Sequence, residues 1–227
     1  MSARIRRRET AGVLGGTFDP VHLGHLHIAE EARRLLGLAH TLLLPAAVPP
    51  HKSPAVLSPA RHREAMVRLA IEGREGLSIS TLELVPARVC YTIDSLRRLR
   101  VESDYEPLFI LGLDALAQIN SWHGWREILD EFDLAVIARS EGHGAATAEL
   151  AAEVAARLVD VTAATPAQLR AGSRGGRIFC LPITPIAVSS STVRARARAG
   201  LDMSDLVPLA VARYIHDMGL YRGEERH

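Results

Sequence analysis

A short apolar run at residues 11–14 ends in Gly15 and Gly16, and from Leu23 onward Leu26, Ala29, Ala32, Arg33 and Leu36 recur with helical spacing. That succession predicts a strand, a glycine turn and an amphipathic helix. Such a corner opens a βαβ unit, and wherever the alternation recurs the chain is committed to a parallel sheet. It recurs throughout. Strands are expected at 11–15, 41–44, 77–80, 108–111, 134–138 and 178–181, with helices at 23–36, 60–72 and 93–100. The expected fold class is α/β, a doubly wound, Rossmann-like parallel sheet with C-terminal helices and a ligand crevice at the carboxyl ends of its strands.

With 227 residues, 48% of them hydrophobic, the chain can bury a full core. A single domain is expected over 11–222, after a flexible Arg-rich tail at 1–10. Within it, 141–176 reads as an insertion packed beside the sheet, with an alanine-rich helix at 145–158, and 186–222 as a C-terminal helical part. A formal net charge of +1 argues against general attraction to nucleic acid or an anionic membrane. No apolar stretch approaches the ~20 residues of a membrane span. Cys90 and Cys180 lack CxxC or metal spacing and read as packing residues in a reducing compartment. The expectation is a cytoplasmic protein acting on small molecules, with its oligomeric state open, a homo-oligomer included.

The first turn also carries chemistry. Residues 14–25 read Leu-Gly-Gly-Thr-Phe-Asp-Pro-Val-His-Leu-Gly-His. Glycines let backbone approach a ligand, and a helix N-terminus favours an anion through its free amides and partial positive charge. His22 and His25, at i and i+3, share one face of the first helical turn, where each imidazole can donate to a phosphoryl oxygen. No Glu or Cys stands at ligand spacing beside them, so no metal-binding residues are expected.

Further candidates follow at the ligand end of later strands. Lys52 ends Val-Pro-Pro-His-Lys, a loop stiffened by two prolines, where a mobile charge suits a polyphosphate. Gly112 and Asp114 stand just past a buried strand, where an acid can accept from ribose hydroxyls or merely cap a helix. Tyr91 and Thr92 open a helix whose amides suit a small carboxylate or a plain cap. Trp122 and Trp125, in a chain only 4% aromatic, sit at i and i+3, which suits one stacking and one packing residue on a shared helix face. Ser189, Ser190 and Ser191 precede a last periodic segment and are cap candidates, with Arg194 in its first turns.

Taken in order, the glycine turn with His-Leu-Gly-His, then Pro-Pro-His-Lys, Tyr-Thr, Gly-Leu-Asp, Trp122 and Ser-Ser-Ser-Thr-Val-Arg resemble the nicotinate-nucleotide adenylyltransferases of the nucleotidylyltransferase superfamily. The resemblance runs from Val13 to Arg222. It implies transfer of AMP from ATP to nicotinate mononucleotide, with Mg²⁺ carried mainly by the ATP phosphates. It also implies catalytic roles at the phosphates for His22, His25, Lys52 and Arg194, and ATP binding by Gly15, Gly16, Thr17, Phe18, Gly112, Asp114, Ser190 and Ser191. Tyr91, Thr92, Trp122 and Arg139 would receive the mononucleotide. The chain departs from the family pattern at Pro86, where a basic residue is usual and Arg88 is displaced by two, and at Cys90, where serine is common.

Other readings stand beside this one. Nicotinamide mononucleotide or another phosphate compound is the nearest alternative acceptor, since one amide replaces one carboxylate. A non-catalytic nucleotide- or RNA-binding protein is the alternative of another class, encouraged by Arg194, Arg196 and Arg198. On a helix Arg194 and Arg198 share a face and Arg196 does not, which breaks a basic stripe.

Overall fold

The computed structural model describes residues 8–46, 57–84, 89–138, 151–163, 165–166 and 175–222. Within them lies a seven-stranded sheet of β1 (Glu9–Gly16), β2 (Thr41–Pro45), β3 (Leu77–Ile79), β4 (Tyr105–Gly112), β5 (Asp133–Ala138), β6 (Leu158–Asp160) and β7 (Ile178–Pro182). Their order is β3-β2-β1-β4-β5-β7-β6, and every pair is parallel. The chain runs from β1 outward to β3, then returns to place β4 on the other side of β1. Strand order thus reverses between β1 and β4, and the crevice forms at their carboxyl ends.

Helices cover both faces. On one lie α1 (Leu23–Leu36), α2 (Ala60–Ile71), α7 (Ser190–Arg198) and α8 (Leu209–Asp217). On the other lie α3 (Thr92–Glu102), α4 (Leu113–Ala117), α5 (Trp125–Glu131) and α6 (Ala152–Ala155). The strands feed both cores by period-two alternation: Leu14, Leu108 and Ile110 join the first, while Val13, Phe109 and Leu111 join the second. In α1 the buried face is Leu26, Ala29, Ala32 and Leu36, and the small alanines let the helix lie close to the sheet. The Thr41 hydroxyl, fully buried, donates to the Ala29 carbonyl at 3.2 Å and ties β2 to that face. Gly37, in the left-handed conformation, ends the helix by donating back to Arg33 and Arg34.

Four sequence expectations change. The segment read as a tail reaches only to the strand: Glu9 and Thr10 pair with Tyr105 and Glu106, and the Arg8 guanidinium donates to the Arg100 carbonyl. Part of the segment read as an insertion beside the sheet belongs to it, because Leu158–Asp160 pairs with β7 as an edge strand. Of the alanine-rich helix expected at 145–158, residues 145–150 lie outside the described residues and the remainder is the single turn of α6. Finally, Trp122 and Trp125 do not share a helix face, because Gly124 between them takes φ +65° and breaks the chain direction. The expected C-terminal helices are present as α7 and α8.

Candidate active site

After β1 the chain passes through Thr17, Phe18, the cis Asp19–Pro20 peptide and Val21, then enters α1 with His22 as its extended N-cap. Gly15 and Gly16 serve packing as well as access. A Cβ on Gly15 would stand 3.1 Å from the Phe109 ring, and one on Gly16 would meet three atoms of the Phe18 ring at 3.0–3.2 Å. The Phe18 ring is buried and meets His25 edge-on, with centroids 4.9 Å apart. An aromatic side chain thereby links the glycine turn to the histidine pair.

His22 and His25 stack, with centroids 3.6 Å apart and planes 24° from parallel. Burial lowers the His22 pKa to about 4, and burial together with the neighbouring His22 lowers that of His25 to about 3. Both rings are therefore neutral near pH 7, and each carries one N–H. For His25 the tautomer follows from geometry: Nδ1 accepts from the His22 backbone N–H at 3.3 Å, which leaves the proton on Nε2. The His22 Nδ1 is buried and has no protein partner among the described residues. The first turn of α1 contains no acid, so nothing there opposes an approaching anion.

The start of α7 docks onto this turn. Ser189 caps the helix by accepting from the Thr192 amide at 3.1 Å. Ser190 donates to the Pro20 carbonyl at 2.9 Å, and Arg194 donates to the Asp19 carbonyl at 2.7 Å and to Ser191 at 3.2 Å. Two helix N-termini and the Arg194 guanidinium thus meet at this turn. Arg196 points elsewhere, pairing with Asp205 and the Asp202 carbonyl, which confirms the phase expected for Arg194.

A cleft of about 550 Å³ opens beside the glycine turn, lined by Gly15, Gly16 and Thr17 on one side and by Tyr91, Thr92 and Trp122 on the other. Trp122 is half-buried and packs edge-on against Phe109 at 6.1 Å. Tyr91 is exposed, with its ring 4.3 Å from that of His123. Trp125 does not line the cleft; it packs on the second core beneath the Arg126 guanidinium. Gly112 and Asp114 stand exposed where β4 passes into α4, also outside the cleft lining. Lys52, Arg139, Pro86 and Arg88 lie outside the described residues. Cys90 lines the cleft and contacts the Glu83 carbonyl through Sγ at 4.0 Å.

Three charged residues that sequence reasoning passed over are buried at this site. Glu83 lines the cleft at 7% exposure, and burial pushes its carboxyl upward against a hydrogen bond with Ser95. Asp19 lies beneath the turn at 3%, and Arg63 beneath it at 1%. An acid bracketed by Leu82 and Leu84 was a signal within reach; the other two read as ordinary polar residues of a loop and a helix. No three His, Cys, Asp or Glu side chains among the described residues come together to hold a metal ion. Two neutral imidazoles side by side suit donation to the oxygens of an anion.

Residues 13–196 match the cytidylyltransferase-like family. A probable nicotinate-nucleotide adenylyltransferase of Symbiobacterium thermophilum is 40% identical over 216 residues, 95% of this chain and 96% of that one. One of Aeromonas hydrophila is 41% identical over 212 residues, 93% and 96% of the two chains. The structure of Plasmodium falciparum nicotinic acid mononucleotide adenylyltransferase complexed with NaAD superposes with a TM-score of 0.69 over 94% of this chain and 97% of that one, and at 18% identity this likeness concerns the fold. None of the described helices is long and apolar enough to cross a membrane. Likeness of this extent, over nearly the whole length of chain and relatives alike, decides the matter: the chain belongs to the cytidylyltransferase-like family, in its nicotinate-nucleotide adenylyltransferase branch.

Proposed function

We propose that the protein transfers the adenylyl group of ATP to nicotinate mononucleotide, giving nicotinate adenine dinucleotide and pyrophosphate. The observation that carries this reading is the continuity of the two half-sites. The glycine turn that presents the histidine pair also forms one wall of the cleft whose other wall is Tyr91, Thr92 and Trp122. The acceptor phosphate attacks the α-phosphorus in line; a P–O bond forms there as the bond to the β-phosphate oxygen breaks, and pyrophosphate leaves with the electron pair.

His25 donates through Nε2–H, and His22 through its own N–H, to phosphoryl oxygens that gain charge in the transition state. Arg194, held by the Asp19 carbonyl and Ser191, shares with Lys52 the role of neutralising the departing phosphates, while the amides at Ser190 and Ser191 donate to a phosphate oxygen. Gly15, Gly16, Thr17 and Phe18 form the wall against ATP, and Gly112 and Asp114 hold its ribose. Mg²⁺, when bound, would be held mainly by the phosphates and would supply further charge neutralisation. On the acceptor side Trp122 stacks on the pyridine, Tyr91 and the α3 opening at Thr92 meet its carboxylate, and Arg139 completes that side. Burial favours the neutral form of Glu83, which lessens repulsion of a substrate carboxylate. Arg196 is turned to Asp205 and the Asp202 carbonyl, away from Arg194, which breaks the row of three arginines a nucleic-acid backbone would need. ATP, MgCl₂ and nicotinate mononucleotide incubated with the protein should yield the dinucleotide by mass spectrometry; its absence with a folded, ATP-binding protein overturns the reading.

A further inference from the structure

Beneath the turn that presents the histidines lies a polar network in which Asp19, Arg63 and Tyr221 have no role of their own in the steps above. Asp19 is its centre. Its Oδ1 accepts from the Tyr221 hydroxyl at 2.7 Å, its Oδ2 accepts from the Ser58 amide at 3.1 Å, and its carbonyl accepts from Arg194. Beside it the Arg63 guanidinium, on α2, donates to the Thr17 carbonyl at 2.8 Å, the Ala46 carbonyl at 2.5 Å and the Ser58 carbonyl at 3.1 Å. One planar cation thus joins the segments that follow β1, follow β2 and precede α2. An arginine suits this because its donors are spread over a rigid fork, here Nε and Nη1; a lysine's three donors radiate from one nitrogen and do not reproduce that spread.

Backbone conformation points to the same place. Among the described residues, the non-glycine residues with positive φ are Phe18 at +48° and Tyr221 at +63°. Each conformation is disfavoured for a residue with a side chain and persists only where its surroundings over-determine it. Phe18 precedes Asp19 in the chain and packs on His25; Tyr221 follows the left-handed Gly219 and is turned back so that its hydroxyl reaches Asp19. The contact spans 202 residues of sequence.

We infer that Tyr221 and Arg63 are positioning residues for the ATP half of the site, acting through Asp19 and the carbonyls of the turn to hold Phe18, His22 and His25 in place. The inference rests on the proposed reaction for its kinetic consequence and on the geometry for its effect on ATP binding. It separates the two halves of the site: the network touches the phosphate turn and no residue of the acceptor wall formed by Tyr91, Thr92 and Trp122.

The test is Tyr221→Phe, which deletes one hydroxyl, measured against Tyr214→Phe. Tyr214 is a matched control, since its hydroxyl makes a 2.9 Å bond to His62 that joins α8 to α2 without touching the turn. Arg63→Lys, which keeps the charge and loses the fork, is the second variant, so that the result does not depend on one substitution folding. All are assayed below their melting midpoints for ATP affinity by titration calorimetry with MgCl₂, and for kcat and both KM values by pyrophosphate release. Tyr221→Phe and Arg63→Lys should lower kcat about tenfold or more and weaken ATP binding, with KM for nicotinate mononucleotide unchanged. Tyr214→Phe should lower the melting temperature and leave kcat at the wild-type value. If Tyr221→Phe keeps wild-type kcat and ATP affinity, or if all three variants lose activity and acceptor KM together in step with stability, the network is structural and the inference fails. Should the wild type bind ATP and not turn over nicotinate mononucleotide, the reaction is misassigned, and the ATP affinities of the variants still decide the role of the network.

Discussion

At His25 a backbone amide, rather than a carboxylate, sets the tautomer. The His22 N–H occupies Nδ1, so the proton resides on Nε2 and the ring serves as a neutral donor. A carboxylate partner would have raised the pKa and placed a negative charge beside the phosphates; burial and the stacked His22 lower it instead. His25→Ala should therefore reduce kcat by about 10²–10³, the usual loss for one preorganised donor, with much smaller changes in substrate binding. Steady-state kinetics of the purified variant decide this, and near-wild-type turnover would remove His25 from the mechanism. This pair was legible in the sequence because spacing alone puts i and i+3 on one helical face. Asp19 and Arg63 were not, because their burial is created by partners remote in the chain, as in the Asp19 contacts to Arg194 and Tyr221 across 175 and 202 residues.

Among the elements, the strands of the first core and the whole of α1 were legible from period and punctuation: the apolar rows of α1 and Gly37 as its stop mark Leu23–Leu36. The edge strand Leu158–Asp160 was not, since three residues carry no period and its pairing is supplied by β7. The tryptophans show how one backbone position reassigns two side chains. Helical spacing put both on one face, but Gly124 separates a 3₁₀ turn, Ile119–Ser121, from α5, so Trp122 turns to the cleft and Trp125 to the second core. A Cβ at 124 would stand 2.7 Å from Glu127 Oε2 and 3.0 Å from Ile93, at a φ that disfavours side chains. Trp122→Ala should raise KM for nicotinate mononucleotide roughly 5- to 150-fold, given ~1–3 kcal/mol for aromatic stacking on a base, and leave KM for ATP nearly unchanged. Trp125→Ala should mainly lower the melting temperature. If the two variants exchange phenotypes in kinetics and thermal melts, the cleft assignment of Trp122 is wrong.

For the molecule as a whole, the buried histidines make stability depend on pH. In the unfolded chain an imidazole takes up its proton near pH 6.5, whereas His22 and His25 resist it until about 4 and 3. The unfolded state therefore binds more protons below 6.5, and stability falls as pH drops from there toward 4 and 3. By pH 5 the loss amounts to up to about 2 kcal/mol for each ring. Glu83 acts in the opposite sense, because its raised folded-state pKa makes acidification favourable over its own window. Urea unfolding at pH 7.5 and pH 5 should show the double variant His22→Gln/His25→Gln losing less stability than the wild type; equal losses would mean that the pair is not neutral and buried in the folded protein.

Both cores, the strand reversal between β1 and β4 and the docking of α7 on the glycine turn bring the histidine pair and the Trp122 wall, the proposed ATP and acceptor sides, together at one sheet end. The measurement closest to that claim is pyrophosphate release from ATP and MgCl₂ with nicotinate mononucleotide, nicotinamide mononucleotide and unrelated phosphate monoesters supplied in parallel, scored as kcat/KM. Nicotinate mononucleotide should be the preferred acceptor, with the amide poorer and the monoesters inactive. A preference for the amide or for a monoester, or no release with any acceptor from a folded protein that binds ATP, would contradict the assignment of the cleft.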